Sequence, residues 1–258
     1  MTTLLRLQVE GPRLSITLAR PEVHNALNGE LIAALGRAVR EAAALPEVRY
    51  VVVAGEGPSF CAGGDLAFMR AMAGRPAEVN RVEAGALFET LDAMVSCPKP
   101  IIARVHGAAL AGGMGLVAAA DLAVAHPAAR FGLTEVRVGV PPAMIFPFLL
   151  RKVARHHLLW AALTGERFPA ARALEMGLVN EVAEDPDGVV AAWGRDLLAG
   201  GPEALAGVKH LARRLPQLSW DEVRALTVDL IVRSAVSPEG QEGMLAFLEK
   251  RRPRWAPE

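Results

Sequence analysis

Three stretches of this chain carry residue types that can do chemistry. Ser59-Phe60-Cys61-Ala62-Gly63-Gly64-Asp65-Leu66 follows the apolar run Tyr50-Val51-Val52-Val53-Ala54. His106-Gly107-Ala108-Ala109-Leu110-Ala111-Gly112-Gly113-Met114-Gly115 follows a second apolar run, Ile101–Val105. Glu135 stands just after Phe131-Gly132. A strand that ends in adjacent glycines and turns into a helix leaves outward N–H groups unpaired, and these bind an anion. That anion can be a phosphate, a carboxylate, or an oxyanion that exists only during a reaction.

Each possibility makes its own demands. Gly113-Met114-Gly115-Leu116-Val117-Ala118 matches G-x-G-x-x-A, a dinucleotide fingerprint that is weak when it stands alone. Such a fingerprint normally sits in the first strand–helix turn, directly after its strand. Here Val105 lies eight residues upstream of Gly113, which argues against NAD. No Gly-Lys-Ser/Thr follows either turn, so a Walker loop is excluded. Cys61 could serve as a nucleophile with His106 as base, but a Cys directly after Phe60 at a strand end reads as a buried, inert thiol. The third possibility is an oxyanion hole. If the two apolar strands lie side by side, their glycine turns converge, and one N–H from each can hold a single oxygen. Glycine removes side-chain bulk, so a thioester can approach the backbone closely. One such donor is typically worth about 3 kcal/mol of barrier. Enolate chemistry also needs a base near the α-carbon, and Glu135 on a separate segment can supply it.

The elements that must position these residues are legible as patterns. Leu4–Val9 and Leu14–Leu18 alternate around Gly11-Pro12 and predict a β-hairpin. Asn28 predicts an N-cap for a helix carrying Leu31, Leu35, Val39 and Ala42, which Pro46 stops. Strand, glycine turn and helix follow twice, over 50–73 and 101–120, with the second helix expected at Leu116–Ala120. Between them a long helix is expected from Glu78 to about Ser96. Asp121–Ala125 reads as a strand and Phe131–Glu135 as a short strand entering a turn. Ala143–Val153 is expected to be an apolar helix kinked at Pro147, and Val179–Val182 a last short strand. Helical patterns recur at 169–176, 187–199, 202–214, 219–234 and 239–250. The composition shifts near residue 190, which divides the chain into an α/β part, 1–190, and a helical part, 191–258.

Bulk properties exclude several classes. Hydrophobic residues are 52% of 258, enough for a sizeable core. Lys+Arg and Asp+Glu are both 28, so charge favours neither nucleic acid nor an acidic membrane as partner. The two cysteines have no metal-ligand spacing, and no metal is expected. Met1–Arg6 has no signal-peptide apolar region, and Val105–Ala120 is too short and glycine-rich to span a bilayer. A cytoplasmic protein is expected.

Together the three stretches resemble the crotonase (enoyl-CoA hydratase/isomerase) superfamily. Phe60–Leu66 is similar to its first oxyanion motif, His106–Gly113 to its second, and Phe131–Gly139 to the segment bearing its catalytic carboxylate. Arg20-Pro21 through Asn25-Ala26-Leu27 and Phe247–Arg251 match as well, so the resemblance spans nearly the whole chain. It implies an α/β fold, a crotonase-like repeated ββα spiral, with a C-terminal helical region that forms homotrimers or homohexamers. It implies that the N–H groups of Gly64 and Gly112 are the oxyanion donors and Glu135 the base or proton donor. Ala62, Gly64, Asp65, Leu66, Ala67 and Gly112 would line the coenzyme A path. No cofactor is implied, because the coenzyme A thioester is itself the substrate.

There is one departure. Hydratases of this family carry a second glutamate three residues after the second oxyanion glycine, where this chain has Gly115. The resemblance implies hydration of a 2-enoyl-CoA. Its wording around Gly112–Leu116 and Thr134–Gly139 is similar to bacterial hydratases of branched or carboxylated substrates such as 3-methylglutaconyl-CoA. A carboxylated substrate would call for a cation, with Arg70, Arg75 and Arg137 as candidates. The alternatives are a Δ3,Δ2-enoyl-CoA isomerase that uses Glu135 alone, and a non-catalytic coenzyme A-binding homologue. Taken singly, each residue also has a plain reading. Gly112 and Gly113 would serve packing, Asp65 would cap a helix over 65–73, and Glu135 would be a surface acid. Lys250, Arg251, Arg252 and Arg254 would be a solvated tail or a phosphate contact.

Overall fold

The computed structural model describes residues 4–65, 70 and 74–256. The expected hairpin is present as β1 (Leu5–Glu10) and β2 (Arg13–Leu18), antiparallel. Asn28 caps α1 (Gly29–Ala44) by accepting from the Leu31 N–H at 2.9 Å. A cap of this kind contributes about 1 kcal/mol. At the other end, the Lys99 ammonium donates to the carbonyls of Ala42 and Leu45, placing a cation where the helix leaves acceptors unpaired. β3 (Tyr50–Gly55) and β4 (Ile101–Val105) are parallel neighbours, with Val51 opposite Ile101. α2 (Ala77–Ser96) joins them and buries Leu91 and Met94. The helix expected over 65–73 lies outside the described residues apart from Asp65 and Arg70, of which Arg70 is exposed.

Beyond β4 the structure departs from the sequence pattern. A strand that the pattern does not announce, β5 (Ala108–Leu110), follows directly, and α3 (Gly112–Ala119) starts four residues earlier than expected. The turn between them is made by Ala111 at φ 47°, a conformation that costs an L-residue energy. β6 (Leu122–Ala125) and β7 (Arg130–Gly132) come next, then a 3-10 helix, Thr134–Val138. The apolar stretch expected to be one helix from 143 to 153 is helical only in α4 (Phe146–Leu149). Pro147 sits in its first turn, where a missing N–H does no harm, so it opens a short helix instead of kinking a long one. α5 (Arg155–Thr164) and β8 (Arg167–Pro169) have no counterpart in the sequence pattern. α6 (Ala170–Glu175), β9 (Glu181–Val182), α7 (Pro186–Ala199), α8 (Pro202–Arg214), α9 (Trp220–Val236) and α10 (Pro238–Leu248) match the remaining helical and strand patterns.

The strands form a six-stranded sheet, β1-β2-β3-β4-β6-β9, and a three-stranded one, β5-β7-β8. The repeat is longer than the doubled unit visible in sequence. Four times the chain lays a strand in the large sheet and then a strand or a single bridge in a second layer. The pairs are β2 with Leu27, β3 with Cys61 to Gly64, β4 with β5, and β6 with β7. The central strands β3 and β4 are buried on both faces. Val51 and Val53 join the main core with Leu31, Leu35 and Met114, whereas Val52 packs with Ile102, Val124 and Val190 of α7. α7 covers the sheet through Val190, so the composition shift near 190 falls inside a helix that packs on the sheet. Among the described residues no helix is long and apolar enough to cross a membrane.

Candidate active site

The two glycine turns meet because β3 and β4 are neighbours. A parallel bridge joins Cys61 to Ala109, closed by Cys61 N–H to the Ala108 carbonyl (2.9 Å) and Leu110 N–H to the Cys61 carbonyl (3.0 Å). Contact is so close that only glycine fits at certain points. A Cβ on Gly113 would lie 2.3 Å from the Cys61 carbonyl oxygen. A Cβ on Gly63, whose φ is +97°, would lie 2.9 Å from the Ala111 Cβ. Thus Gly63 and Gly113 let the turns interlock, in line with the packing reading of Gly113.

Their neighbours face a cavity of about 690 Å³. Gly64 is held by a parallel bridge to Leu27, made by the Gly63 carbonyl (2.7 Å) and the Asp65 N–H (2.9 Å). Strand alternation therefore turns the Gly64 N–H away from Leu27. Gly112 is the first residue of α3, where an N–H has no intrahelical partner. Ala62, Gly64, Ala111 and Gly112 all line this cavity.

Glu135 lines it too, and the same ladder sets its position. Leu110 pairs with Gly132, and the Ala111 N–H donates to the Gly132 carbonyl at 2.8 Å. The 3-10 turn closes at Gly139 in the left-handed region, with its N–H returned to Glu135 and Val136 carbonyls. The Glu135 Oε2 is buried without a hydrogen-bond partner, which rules out the salt-bridged surface acid. Burial pushes its carboxyl above the ordinary range, and a hydrogen bond from its own backbone offsets part of that. Glu135 is the one ionisable residue among the described residues of the cavity lining. An unsatisfied carboxyl with a raised pKa, in an apolar cavity that Gly64 and Gly112 also line, can move a proton.

Other sequence candidates go elsewhere. Asp65 is not part of the lining; it pairs with Arg20 (2.8 Å) and both side chains are nearly buried. Arg20 also donates to the Ala26 carbonyl, and Asn25 ties in the Ser59 carbonyl at 2.7 Å. This polar network fixes the first turn from behind. Leu66 and Ala67 lie outside the described residues, as does the helix Asp65 was expected to cap. The Cys61 thiol is fully buried, and desolvation pushes it up to about 12, which agrees with an inert core thiol. His106 donates from Nε2 to the Gly57 carbonyl (2.9 Å). Gly113 and Gly115 are both packed against protein atoms, as a pyrophosphate cradle would not be. Arg75 pairs with Glu83 (2.6 Å) and Arg137 packs on Gly165, so neither reaches the cavity. Arg251 and Arg254 converge on Glu242, and Arg251 draws its carboxyl down to about 2. That part of the tail is a folded ion-pair cluster.

Sequence reasoning misses the wall that runs from Val138 to Ile145. Pro141-Pro142 is its available signal, since two prolines interrupt any helix there. Gly115 also gains a neighbour: a Cβ on it would lie 2.4 Å from Ile145 Cγ2 and 3.4 Å from Leu91 Cδ1. Where the family resemblance expects a second carboxylate, an isoleucine is already in place.

Known proteins share this fold. The model of the enoyl-CoA hydratase/isomerase family matches residues 13–258. The chain belongs to that family. The solved enoyl-CoA hydratase from Shewanella pealeana superposes with a TM-score of 0.95 at 32% identity, over 98% of this chain and 96% of that one. The enoyl-CoA hydratase structure from Mycobacterium smegmatis gives a TM-score of 0.92 at 36% identity, over 98% and 99%. The carnitinyl-CoA dehydratase of Salmonella arizonae is 32% identical over 99% of both chains. The fold is the crotonase-like α/β spiral with a helical C-terminal region, and the protein is an acyl-CoA enzyme of the enoyl-CoA hydratase type.

Proposed function

We propose that this enzyme hydrates 2-enoyl-CoA thioesters with apolar acyl chains, linear or branched. The observation that carries the reading is the buried, unpartnered Glu135 Oε2 in one cavity with Gly64 and Gly112. The thioester oxygen sits on the N–H groups of Gly64 and Gly112. Glu135 takes a proton from water as the water oxygen bonds to C3, and the C2=C3 electron pair moves onto the thioester oxygen. The same carboxyl then returns the proton to C2 and the carbonyl re-forms. A raised pKa suits a group that must act as base and then acid. No described lining residue is a cation, which favours an apolar chain over a carboxylated one. Coenzyme A runs past Ala62, Gly64 and the residues that follow it, Asp65 to Ala67, as part of the substrate, and no cofactor or metal takes part.

A second reading is favoured by Ile145 lying over Gly115: one carboxylate serves an isomerase that takes a proton from C2 of a 3-enoyl-CoA and returns it at C4. Conjugated-thioester absorbance separates the readings. Loss with crotonyl-CoA marks the hydratase, and gain with a 3-enoyl-CoA marks the isomerase. Silence on both with retained coenzyme A binding marks a non-catalytic homologue. Glu135→Gln lowers kcat by about 10²- to 10⁴-fold with coenzyme A affinity kept, and full activity in this variant would sink the assignment. Because the Glu135 pKa is raised, kcat/KM of the wild type falls toward acid at a pH above the usual carboxylate range.

The helical region beyond Pro202 builds a homotrimer, singly or as a pair of trimers. Its support is apolar surface: α9 buries no residue, and Trp220 and Phe247 are each 83% exposed. Light scattering that returned the 27.4 kDa monomer would refute it.

A further inference from the structure

We infer that Ile145 sets the depth of the acyl cavity and that Gly115 sets the position of Ile145. This rests on the reading of the cavity as the acyl site. Gly112 and Gly115 lie three residues apart on α3, so they share a face. At 1.5 Å rise per residue, Gly115 is about 4.5 Å further along the helix than the oxyanion glycine. Every residue of α3 is buried, so this direction leads into the protein. Ile145 lines the cavity at that level while only 2% of its surface remains accessible, which makes it a wall instead of a flap.

That wall has little freedom. The Ile145 N–H bonds to the Pro142 carbonyl, and its own carbonyl accepts from the N–H groups of Phe148 and Leu149 (both 3.1 Å). Prolines at 141, 142 and 147 restrict the backbone on both sides. A β-branched side chain has few rotamers to offer. Its Cγ2 uses the space that any Gly115 side chain would need, and Leu91 closes the same spot. The far end of the cavity is therefore hard, apolar and set by a two-residue contact. Substrate chains are sorted there by length.

The test is a chain-length series. Relative kcat/KM for ten-carbon against four-carbon 2-enoyl-CoA should rise about tenfold in Ile145→Ala, and more modestly in Ile145→Val. It should fall in Gly115→Ala, because the new methyl drives Ile145 into the cavity. In the double variant Gly115→Ala/Ile145→Ala the methyl occupies the vacated space, and the ratio returns toward wild type. A ratio between substrates does not respond to a general loss of folded enzyme, so a merely structural contact would leave it unmoved. Dissociation constants of saturated butyryl-CoA and decanoyl-CoA, measured by calorimetry on the same variants, should shift in the same directions. Should no 2-enoyl-CoA turn over while these binding shifts appear, the hydratase reading fails and the depth assignment stands. Unchanged ratios and unchanged binding preferences in active single variants overturn the assignment.

Discussion

The two glycine turns solve one problem with different backbones. In the first, Gly63 adopts φ +97° and Gly64 continues in a bridge to Leu27. In the second, the left-handed residue is Ala111, and the glycines that follow open a helix. Yet each adjacent pair divides its work in the same way. One glycine is pressed against the other turn and one faces the cavity. The pair in sequence looks like a single flexible hinge, but it is a packing residue beside a cavity-lining residue. Adjacent positions with the same residue type therefore have opposite tolerances.

Substitution can break that comparison. The largest effect on the fold is expected at Gly113→Ala, where a Cβ would meet the Cys61 carbonyl at 2.3 Å. A backbone carbonyl held in a ladder cannot move aside, so the loss should be about 3 kcal/mol or more. Thermal unfolding measures it, and a Tm equal to wild type would refute the interlocked geometry. The smaller effect belongs to Gly112→Ala. Its Cβ meets only the flexible Leu27 Cδ1, at 2.8 Å, so stability should drop by less than about 1 kcal/mol. Turnover should still fall by about a hundredfold, because a methyl in the cavity displaces the thioester oxygen from its donors. Finding both alanine variants alike in Tm would mean that the division of labour is wrong.

Much of the site is legible in the sequence. Gly64, Gly112 and Glu135 stand out by residue type, by their place after apolar runs, and by resemblance, and the structure brings them to one cavity. What is not legible has physical reasons. β5 is three residues long, too short for a periodic signal, yet it is the ladder that ties Gly112 to the segment of Glu135. The start of α3 is hidden because Ala111 takes a glycine-like conformation, which no composition rule predicts. The stretch from 143 to 153 is apolar because it is a cavity wall, and apolar content alone does not distinguish a wall from a helix. Asp65 reads as a cap or a coenzyme A contact, and nothing in the sequence announces its ion pair with Arg20, 45 residues away.

By itself, the sequence determined the local devices: the Asn28 cap, the hairpin, the valine-rich strand, the glycine turns and a single carboxylate downstream. These depend on neighbours along the chain, and backbone sterics and periodicity specify them. Tertiary structure decided which glycine packs and which lines the cavity, and it left Glu135 Oε2 buried and unpaired. It also put Ile145 where a Gly115 side chain would go. Those outcomes depend on distances between segments far apart in the chain, which only the closed spiral of strands brings within contact.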